Sequence, residues 1–343
     1  MRIVLIAGPW YPIPPTGYGG IELVVDALAR GFSRAGHEVL LACAADSTCP
    51  VPQLPGMRPS EPDFVGFTSS ELSHVVNAYA GMDGMVDLVH DHTLAGPLYR
   101  GRPEGLPVVT TLHSDLNPSF TAVYGAAARD TTLIAISRSQ VSSALADRVA
   151  AIIPHGMELS AVPVGQGQGG YACFLGRMCP DKGVVEAIEV ARLAGIPLRI
   201  AAKMREPAEV QYFHDVVEPM LRPDVEFLGE VGGADKYKLL GEAVALLNPI
   251  QWMEPFGLVM IEAMATGTPV VATPIGSAPE VIDDGVTGYL ASAPEELARL
   301  LLRAPDLDRA TVRAQAEDRF STERMVEDHL ALYTRLIGVT SAR

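Results

Sequence analysis

Short apolar, β-branched runs alternate with stretches of helical period along the whole chain. In the first half, residues 3–7, 39–42, 86–90, 108–112, 132–136 and 150–154 read as strands, and residues 20–35, 70–80 and 139–148 carry a helical pattern. The Pro-rich stretch 50–67 has no period and reads as an irregular excursion. In the second half, strand-like runs fall at 171–175, 198–202, 244–249, 268–273 and 287–290. Helical patterns follow Gly183, begin near Phe256, and return at 294–303, 308–320 and 322–337. The last of these carries Met325, Val326, Leu330, Leu332, Tyr333 and Leu336 on one face, long enough to dock on a core. Alternation of this kind predicts an α/β chain built on doubly wound parallel sheets. Residues 162–170, VPVGQGQGG, have four glycines and no apolar period, which predicts a linker over 161–170 between a domain 1–160 and a domain 171–320, with a terminal helix in 321–343.

The length of 343 residues favours two domains, and 48% hydrophobic with 20% charged residues excludes a disordered chain. With 26 Lys and Arg against 41 Asp and Glu, the net charge of −15 repels nucleic acid and anionic membrane. Any bound phosphate must therefore meet local cations. Only five apolar residues separate Arg2 from Gly8, so the amino terminus reads as a first strand and not as a signal peptide. No apolar run approaches the length of a membrane span. Cys43, Cys49, Cys173 and Cys179 lack the spacing of a zinc site, so reduced thiols in a cytoplasmic chain are expected, with no metal and no bound cofactor.

The most informative stretch is residues 254–262, EPFGLVMIE, where a Pro and a Gly open an apolar helix and two carboxylates stand with seven residues between them. With the strand runs on either side it forms a βαβ unit. The free N–H groups near Phe256, Gly257 and Leu258 then make an anion site, with Glu254 in the loop above it. Glu262 is expected about two turns into the helix, where a buried carboxylate needs hydrogen-bond donors such as ribose hydroxyls. On spacing alone, a dipole-stabilised Glu254 and a solvated Glu262 remain equally compatible. Upstream, Gly176, Arg177 and Lys182 share one strand-to-helix turn in GRMCPDKG, a second candidate anion site, and Lys203 ends the following strand as a candidate third cation. In the first half, the loop PIPPTGYGG carries Gly17, Gly19 and Gly20 between strand and helix, where glycine permits φ > 0 and close approach of a ligand. It does not follow the G-x-G-x-x-G of dinucleotide folds. His113 ends a strand at the ligand-binding edge of the sheet. Consecutive His90, Asp91 and His92 point to alternate faces, which disfavours a metal, and Ser137 with Gln140 has the S-x-x-Q spacing of a helix-start capping box.

The segments EPFGLVMIEAMATGTPVVATPIGSAPEVI and GRMCPDKG resemble the signature regions of the retaining glycosyltransferases of family 4, and the similarity runs from Met1 to about Ile337. That resemblance implies the GT-B fold, two Rossmann-like domains facing a cleft, with the terminal helix crossing back to the first. It implies a nucleoside-diphosphate sugar donor, UDP-linked by the family's habits, and a hydroxyl acceptor on a small molecule or oligosaccharide, including a role in antibiotic biosynthesis. Arg177 and Lys182 would then meet the donor diphosphate, Gly17, Gly19 and Gly20 would lie over the phosphates, and Leu228 and Gly229 would seat the base. His113 would face the transferred sugar and Glu262 the ribose, and a double displacement would need a carboxylate near the sugar, for which the chain offers only Asp115 and Glu254. Retention at the anomeric carbon and a metal-free site follow from the same resemblance. His155-Gly156-Met157-Glu158 departs from the family, which more often has Asn and Asp there. Two other classes bind the same donor: an epimerase of this fold, which needs no acceptor, and a noncatalytic binding protein, which the joint presence of Arg177, Lys182, Glu254 and Glu262 disfavours. No pyridoxal-phosphate lysine motif of a phosphorylase is seen.

Overall fold

The computed structural model describes residues 1–141 and 145–340. In chain order the first elements are β1 (Arg2–Ile6), α1 (Gly20–Arg34), β2 (Glu38–Ala42), α2 (Thr68–Gly81), β3 (Leu88–Asp91), β4 (Val108–Thr111), α3 (Pro118–Ala127), β5 (Thr132–Ala135) and β6 (Val149–Ile152). There follow β7 (Ala172–Arg177), α4 (Val184–Ala194), β8 (Leu198–Lys203), α5 (Pro207–Tyr212), β9 (Val225–Gly229), α6 (Gly233–Glu242), β10 (Leu246–Asn248) and α7 (Leu258–Ala265). The chain closes with β11 (Val270–Ala272), α8 (Ala278–Val281), β12 (Gly288–Leu290), α9 (Pro294–Arg303), α10 (Arg309–Phe320) and α11 (Thr322–Thr340). The chain divides into two compact units, one holding Met1–Met157 with α11, the other Glu158–Ser321.

Each unit has one parallel sheet of Rossmann type, ordered β2-β1-β3-β4-β5-β6 in the first and β12-β11-β10-β7-β8-β9 in the second. In the first unit Val4 and Ile6 of β1 pack with Val75, Ala78 and Tyr79 of α2. Alternation along the strand sends Ile3 and Leu5, both fully buried, to the opposite face. The last helix joins this unit through α1, where Phe32 and Tyr333 bring their rings to 5.5 Å. In the second unit α4 and α9 cover one face: Val184, Ile188, Leu297 and Leu301 share a core with Phe174, Ile200, Leu247 and Val271.

Three helices carry start signals too local for the apolar period to reveal. Pro118 opens α3 behind Asn117, whose side chain accepts from the N–H groups of Ser119 and Phe120. Glu206 and Glu209 form a reciprocal capping box on α5, and α6 opens on the Gly232–Gly233 pair, with Gly233 at φ 55° and no side-chain cap. The helix expected over 139–148 lies in part, at residues 142–144, outside the described residues; Ala146–Arg148 is a 3₁₀ turn. The Ser137 and Gln140 pair does hydrogen-bond locally, the Gln140 N–H donating to Ser137 Oγ at 3.2 Å and the Ile136 N–H to Gln140 Oε1 at 2.9 Å.

The stretch expected to be a free linker is tied to the second unit instead. Backbone N–H groups of Gly165, Gly167 and Gly169 donate to the carbonyls of Thr266, Gly241 and Glu242 at 2.8–2.9 Å. Glycine serves here because a Cβ on Gly165 would stand 2.1 Å from the Gly241 carbonyl oxygen. The low apolar content reflects backbone pairing, not freedom. Arg309 completes the knot, donating to the carbonyls of Gly165 (3.0 Å), Ala243 (3.2 Å) and Gly241 (2.9 Å) and to Thr268 Oγ1 (2.5 Å). Replacing Arg309 by Met leaves these acceptors without their donor, and at about 1–3 kcal/mol for an unsatisfied buried polar group the second unit should lose at least that much stability. Urea titration of the full chain checks this; an unchanged midpoint would show that Arg309 does not hold the segment.

Candidate active site

Most of the expected donor-side residues gather at the carboxyl ends of β7 and β10 in the second unit. The chain leaves β7 at Arg177, turns through a 3₁₀ turn at Pro180–Lys182, and enters α4 at Gly183, whose φ of 76° and approach to the Pro249 carbonyl, 1.9 Å from where a Cβ would stand, admit only glycine. That contact, with the Gln251 N–H donating to the Asp181 carbonyl at 2.8 Å, locks the β7 turn to the β10 turn. Lys182 is thereby set against Glu254, and the two side chains form a direct ion pair, 14% and 12% exposed. Trp252 Nε1 donates to the same carboxylate at 3.0 Å, and the Lys182 ammonium lies 5.0 Å from the Trp252 ring centroid.

The helix α7 starts at Leu258, two residues later than its apolar pattern suggests. Gly257 is its cap with φ 79°, Phe256 is buried against Phe320 at 5.9 Å, and the Phe256 carbonyl accepts from Ser277 Oγ at 2.6 Å. Glu262 therefore lies just over one turn in. It is buried, but not without a donor: Lys236 of α6 reaches Glu262 Oε1 at 2.5 Å. Burial pulls the Lys236 ammonium down while Glu262 and Tyr237 pull it up, and the net effect is upward. No local sequence signal predicts this partner, since it sits 26 residues away on a helix that the pattern does not show.

Arg177 is not paired with Lys182. Its guanidinium stands 3.8 Å from Glu209 Oε1, and Glu209 in turn lies 3.4 Å from Lys203. Lys203, expected as a third cation for the ligand, is only 4% exposed and pairs with Glu206 and Glu209. Its charge is absorbed by the capping box of α5, which is why spacing along β8 misjudged it. Gly176 has ordinary strand contacts, Leu228 is exposed on β9, and Gly229 ends that strand at φ 73°.

Gly17, Gly19, Gly20 and His113 belong to the first unit. None of the three glycines lies in the left-handed region, and Gly19 is extended at φ 173°. The loop uses glycine for space: a Cβ on Gly19 would lie 2.7 Å from Pro15 Cβ and 2.9 Å from Glu22 Oε2. Glu22, on the first turn of α1, is pushed up to about 7 by burial, with its own backbone N–H opposing. His113 follows β4, and its Nε2 shares a 2.8 Å hydrogen bond with His92 Nδ1. His90 and His92 face the same way, as residues two apart on a strand must, and Asp91 faces away to hold the Thr93 N–H and hydroxyl. Among the described residues no group of three or more His, Cys, Asp or Glu is arranged to hold a metal ion, and no helix is long and apolar enough to cross a membrane.

Comparison with known proteins fits this arrangement. A model described as "Glycosyltransferase Family 4" matches residues 18–160, and one described as "Glycosyl transferases group 1" matches 170–305. The chain belongs to the GT-B glycosyltransferases. Over 95% of its length it is 28% identical to a D-inositol 3-phosphate glycosyltransferase of Salinispora tropica, covering 83% of that protein. One Klebsiella pneumoniae relative, an uncharacterised 41.2 kDa protein in the cps region, is 34% identical over 119 residues, 35% of this chain and 32% of that one. Among solved structures, AviGT4, a glycosyltransferase involved in avilamycin A biosynthesis, superposes with a TM-score of 0.71 at 27% identity over 98% of both chains. Anabaena HepE, in complex with UDP and glucose, shares the fold with a TM-score of 0.73 at 20% identity, over 97% of this chain and 99% of that one.

The buried histidines of this glycosyltransferase make its stability depend on pH. Burial is the main cause that lowers His113 to about 3 and His329 and His74 to about 4, and it holds His90, His92 and His155 well below 6.5. Below pH 6.5 the unfolded chain binds protons that the folded chain refuses, so these six groups stabilise fully above that pH and lose their contribution as pH falls toward 4. Asp91 and Glu22, both pushed up to about 7 by burial, and the raised Glu71 act in the opposite sense. With these six histidines against four raised carboxylates, Glu209 being the fourth, stability should fall from pH 6.5 to 4.5 more steeply than the about 1.4 kcal/mol per pH unit of one proton. Chemical denaturation across that window reads the slope, and a flat profile would mean the histidines are not buried neutral.

Proposed function

We propose that this enzyme transfers a sugar from a UDP-sugar to a hydroxyl of a small-molecule or oligosaccharide acceptor, with retention at the anomeric carbon and without a metal or other cofactor. The observation that carries this reading is the Lys182–Glu254 pair. Two motifs 72 residues apart meet at adjacent strand ends, beside a helix start that offers free N–H groups to an anion. A cation, a carboxylate and a helix start together suit a sugar diphosphate better than a simple phosphate. In the reaction the bond from the anomeric carbon to the diphosphate oxygen breaks and a bond to the acceptor oxygen forms. The acceptor proton leaves on the diphosphate, and attack comes from the face the leaving group vacates.

The roles divide accordingly. Lys182 and Arg177 stabilise charge that grows on the leaving diphosphate, while Glu254 fixes Lys182 and lies beside the sugar. Lys236 holds one oxygen of the Glu262 carboxylate in place, and Glu262 accepts from the ribose hydroxyls. Gly17, Gly19 and Gly20 keep the first-unit loop slim enough for phosphates to approach, Leu228 and Gly229 support the base, and His113 contacts the transferred sugar. The HepE complex with UDP supports the choice of base, and the place of AviGT4 in avilamycin A biosynthesis supports an antibiotic-pathway acceptor.

A thermal-shift series with UDP, GDP, ADP and dTDP should give its largest rise with UDP, since ligand at about 100 times Kd adds about 2.7 kcal/mol. A larger shift with another nucleotide would move the donor assignment.

Loss of either cation should act on the transition state more than on the bound donor. Arg177→Ala and Lys182→Ala should each lower kcat by about 10²–10³, or ~2.7–4 kcal/mol, with a smaller change in donor affinity. Wild-type turnover should survive EDTA. Retained kcat in either variant, or loss of turnover with EDTA, would overturn the metal-free electrostatic mechanism. Nucleotide released from donor alone, together with an isomerised sugar, would indicate the epimerase instead.

A further inference from the structure

Five of the eight histidines of the chain meet inside the first unit. The ring centroids of His90 and His92 are 4.0 Å apart, those of His92 and His113 5.1 Å, and those of His113 and His155 5.3 Å; His329 lies 5.3 Å from His90. One end of the stack is fixed by Tyr333, whose hydroxyl is 2.6 Å from His90 Nδ1, and by Thr111, whose hydroxyl is 2.7 Å from His90 Nε2. His329 is fixed through its Nδ1, 2.7 Å from the Met325 carbonyl, to which it donates. Within this group the hydrogen bond between His92 Nδ1 and His113 Nε2, 2.8 Å long, joins two imidazoles directly. Burial keeps both rings neutral, so one proton lies between these two nitrogens.

Which ring owns that proton follows from the far side of His92. Its Nε2 is buried and meets no hydrogen-bond partner among the described residues. If His113 were the donor, His92 would carry its own proton on Nε2, leaving an N–H orphaned in the core. If His92 is the donor, its Nε2 is a bare lone pair. Orphaned buried N–H groups are the rarer and costlier case. His92 Nδ1 therefore donates, His113 Nε2 accepts, and the remaining nitrogen of His113, Nδ1, bears the proton. We infer that His92 is a positioning residue that holds His113 in its Nδ1–H tautomer, so that His113 offers a neutral hydrogen-bond donor, and not an acceptor, to an oxygen of the transferred sugar.

The role of His113 toward the sugar rests on the proposed function, whereas the tautomer does not. Neutral donation suits the place. A cationic ring would oppose the positive charge that develops at the anomeric carbon, and an accepting nitrogen would bind only sugar hydroxyls that can turn their proton toward it.

The test is a long-range ¹H–¹⁵N correlation spectrum of the full chain labelled with ¹⁵N-histidine, with the His113 signals identified by their loss in His113→Gln. The wild type should show His113 protonated on Nδ1 and bare on Nε2. His92→Asn keeps a donor near the Nδ1 position and should preserve that pattern, while His92→Leu removes it and should shift His113 toward the Nε2–H form. With donor and acceptor, His92→Leu should lose about tenfold in kcat, the worth of one hydrogen bond, at little change in KM, and His92→Asn should recover most of it. A wild-type spectrum with His113 protonated on Nε2 overturns the inference whether or not His92→Leu folds. A His92→Leu protein with unchanged tautomer and kcat also overturns it. If no sugar transfer is found with any nucleotide sugar, the proposed function fails while the spectrum still decides the tautomer.

Discussion

The second unit depends on pairing each of its partly buried lysines with a carboxylate. A chain of net charge −15 could scatter its few cations among a surplus of acids, where exposed pairs contribute little. Here Lys182 meets Glu254, Lys203 meets Glu206 and Glu209, and Lys236 meets Glu262, each largely withdrawn from solvent on the cation side. A partly buried ammonium left without a partner would destabilise the unit, because nothing would offset its loss of solvent. The same pairing sets the chemistry. Under the proposed function an incoming diphosphate would meet cations already oriented by a neighbour and would not have to order flexible lysines.

Orientation in turn depends on backbone contacts that side chains would block. The β7 turn approaches the β10 turn closely only because position 183 has no Cβ, and the loop after Glu254 is closed from the other side by Gly276, where a Cβ would fall 2.4 Å from the Glu254 carbonyl oxygen. The Ser277 N–H then donates to that carbonyl at 3.0 Å. Glu254 is held by its own backbone before its carboxylate reaches Lys182. This explains why the glycines of GRMCPDKG and ATPIGSAPE matter as much as the charged residues beside them.

These features set what could be read from the sequence. Parallel strands buried on both faces announce themselves as short apolar runs, so both sheets and most helices were legible. The turns that carry Lys182 and Glu254 were legible too, because glycine, proline and charge coincide at strand ends. Pairing across the fold was not. Lys236 reaches Glu262 from a helix with little apolar period, and Lys203 is neutralised by a capping box whose members resemble any exposed acids. The glycine-rich segment 162–170 looked free because its partners are carbonyls and Arg309, which leave no apolar trace. The loop glycines near Gly19 misled in another way, since composition does not distinguish a need for positive φ from a need for space.

The histidines show the same limit from the opposite side. Alternation along β3 argues correctly that His90, Asp91 and His92 cannot converge on one point, yet residues two apart share a face, and His113, His155 and His329 come to that face from three other segments. Packing them together is tolerable only while they are neutral, because a proton on one ring raises the cost of a proton on the next. Neutrality removes charge as a variable and leaves hydrogen-bond direction as the one property each ring can still set in its neighbour. In the second unit, by contrast, charge itself is retained and direction follows from it. The two units thus prepare their polar groups by opposite means, one by burying imidazoles in their neutral form and the other by setting lysines against carboxylates.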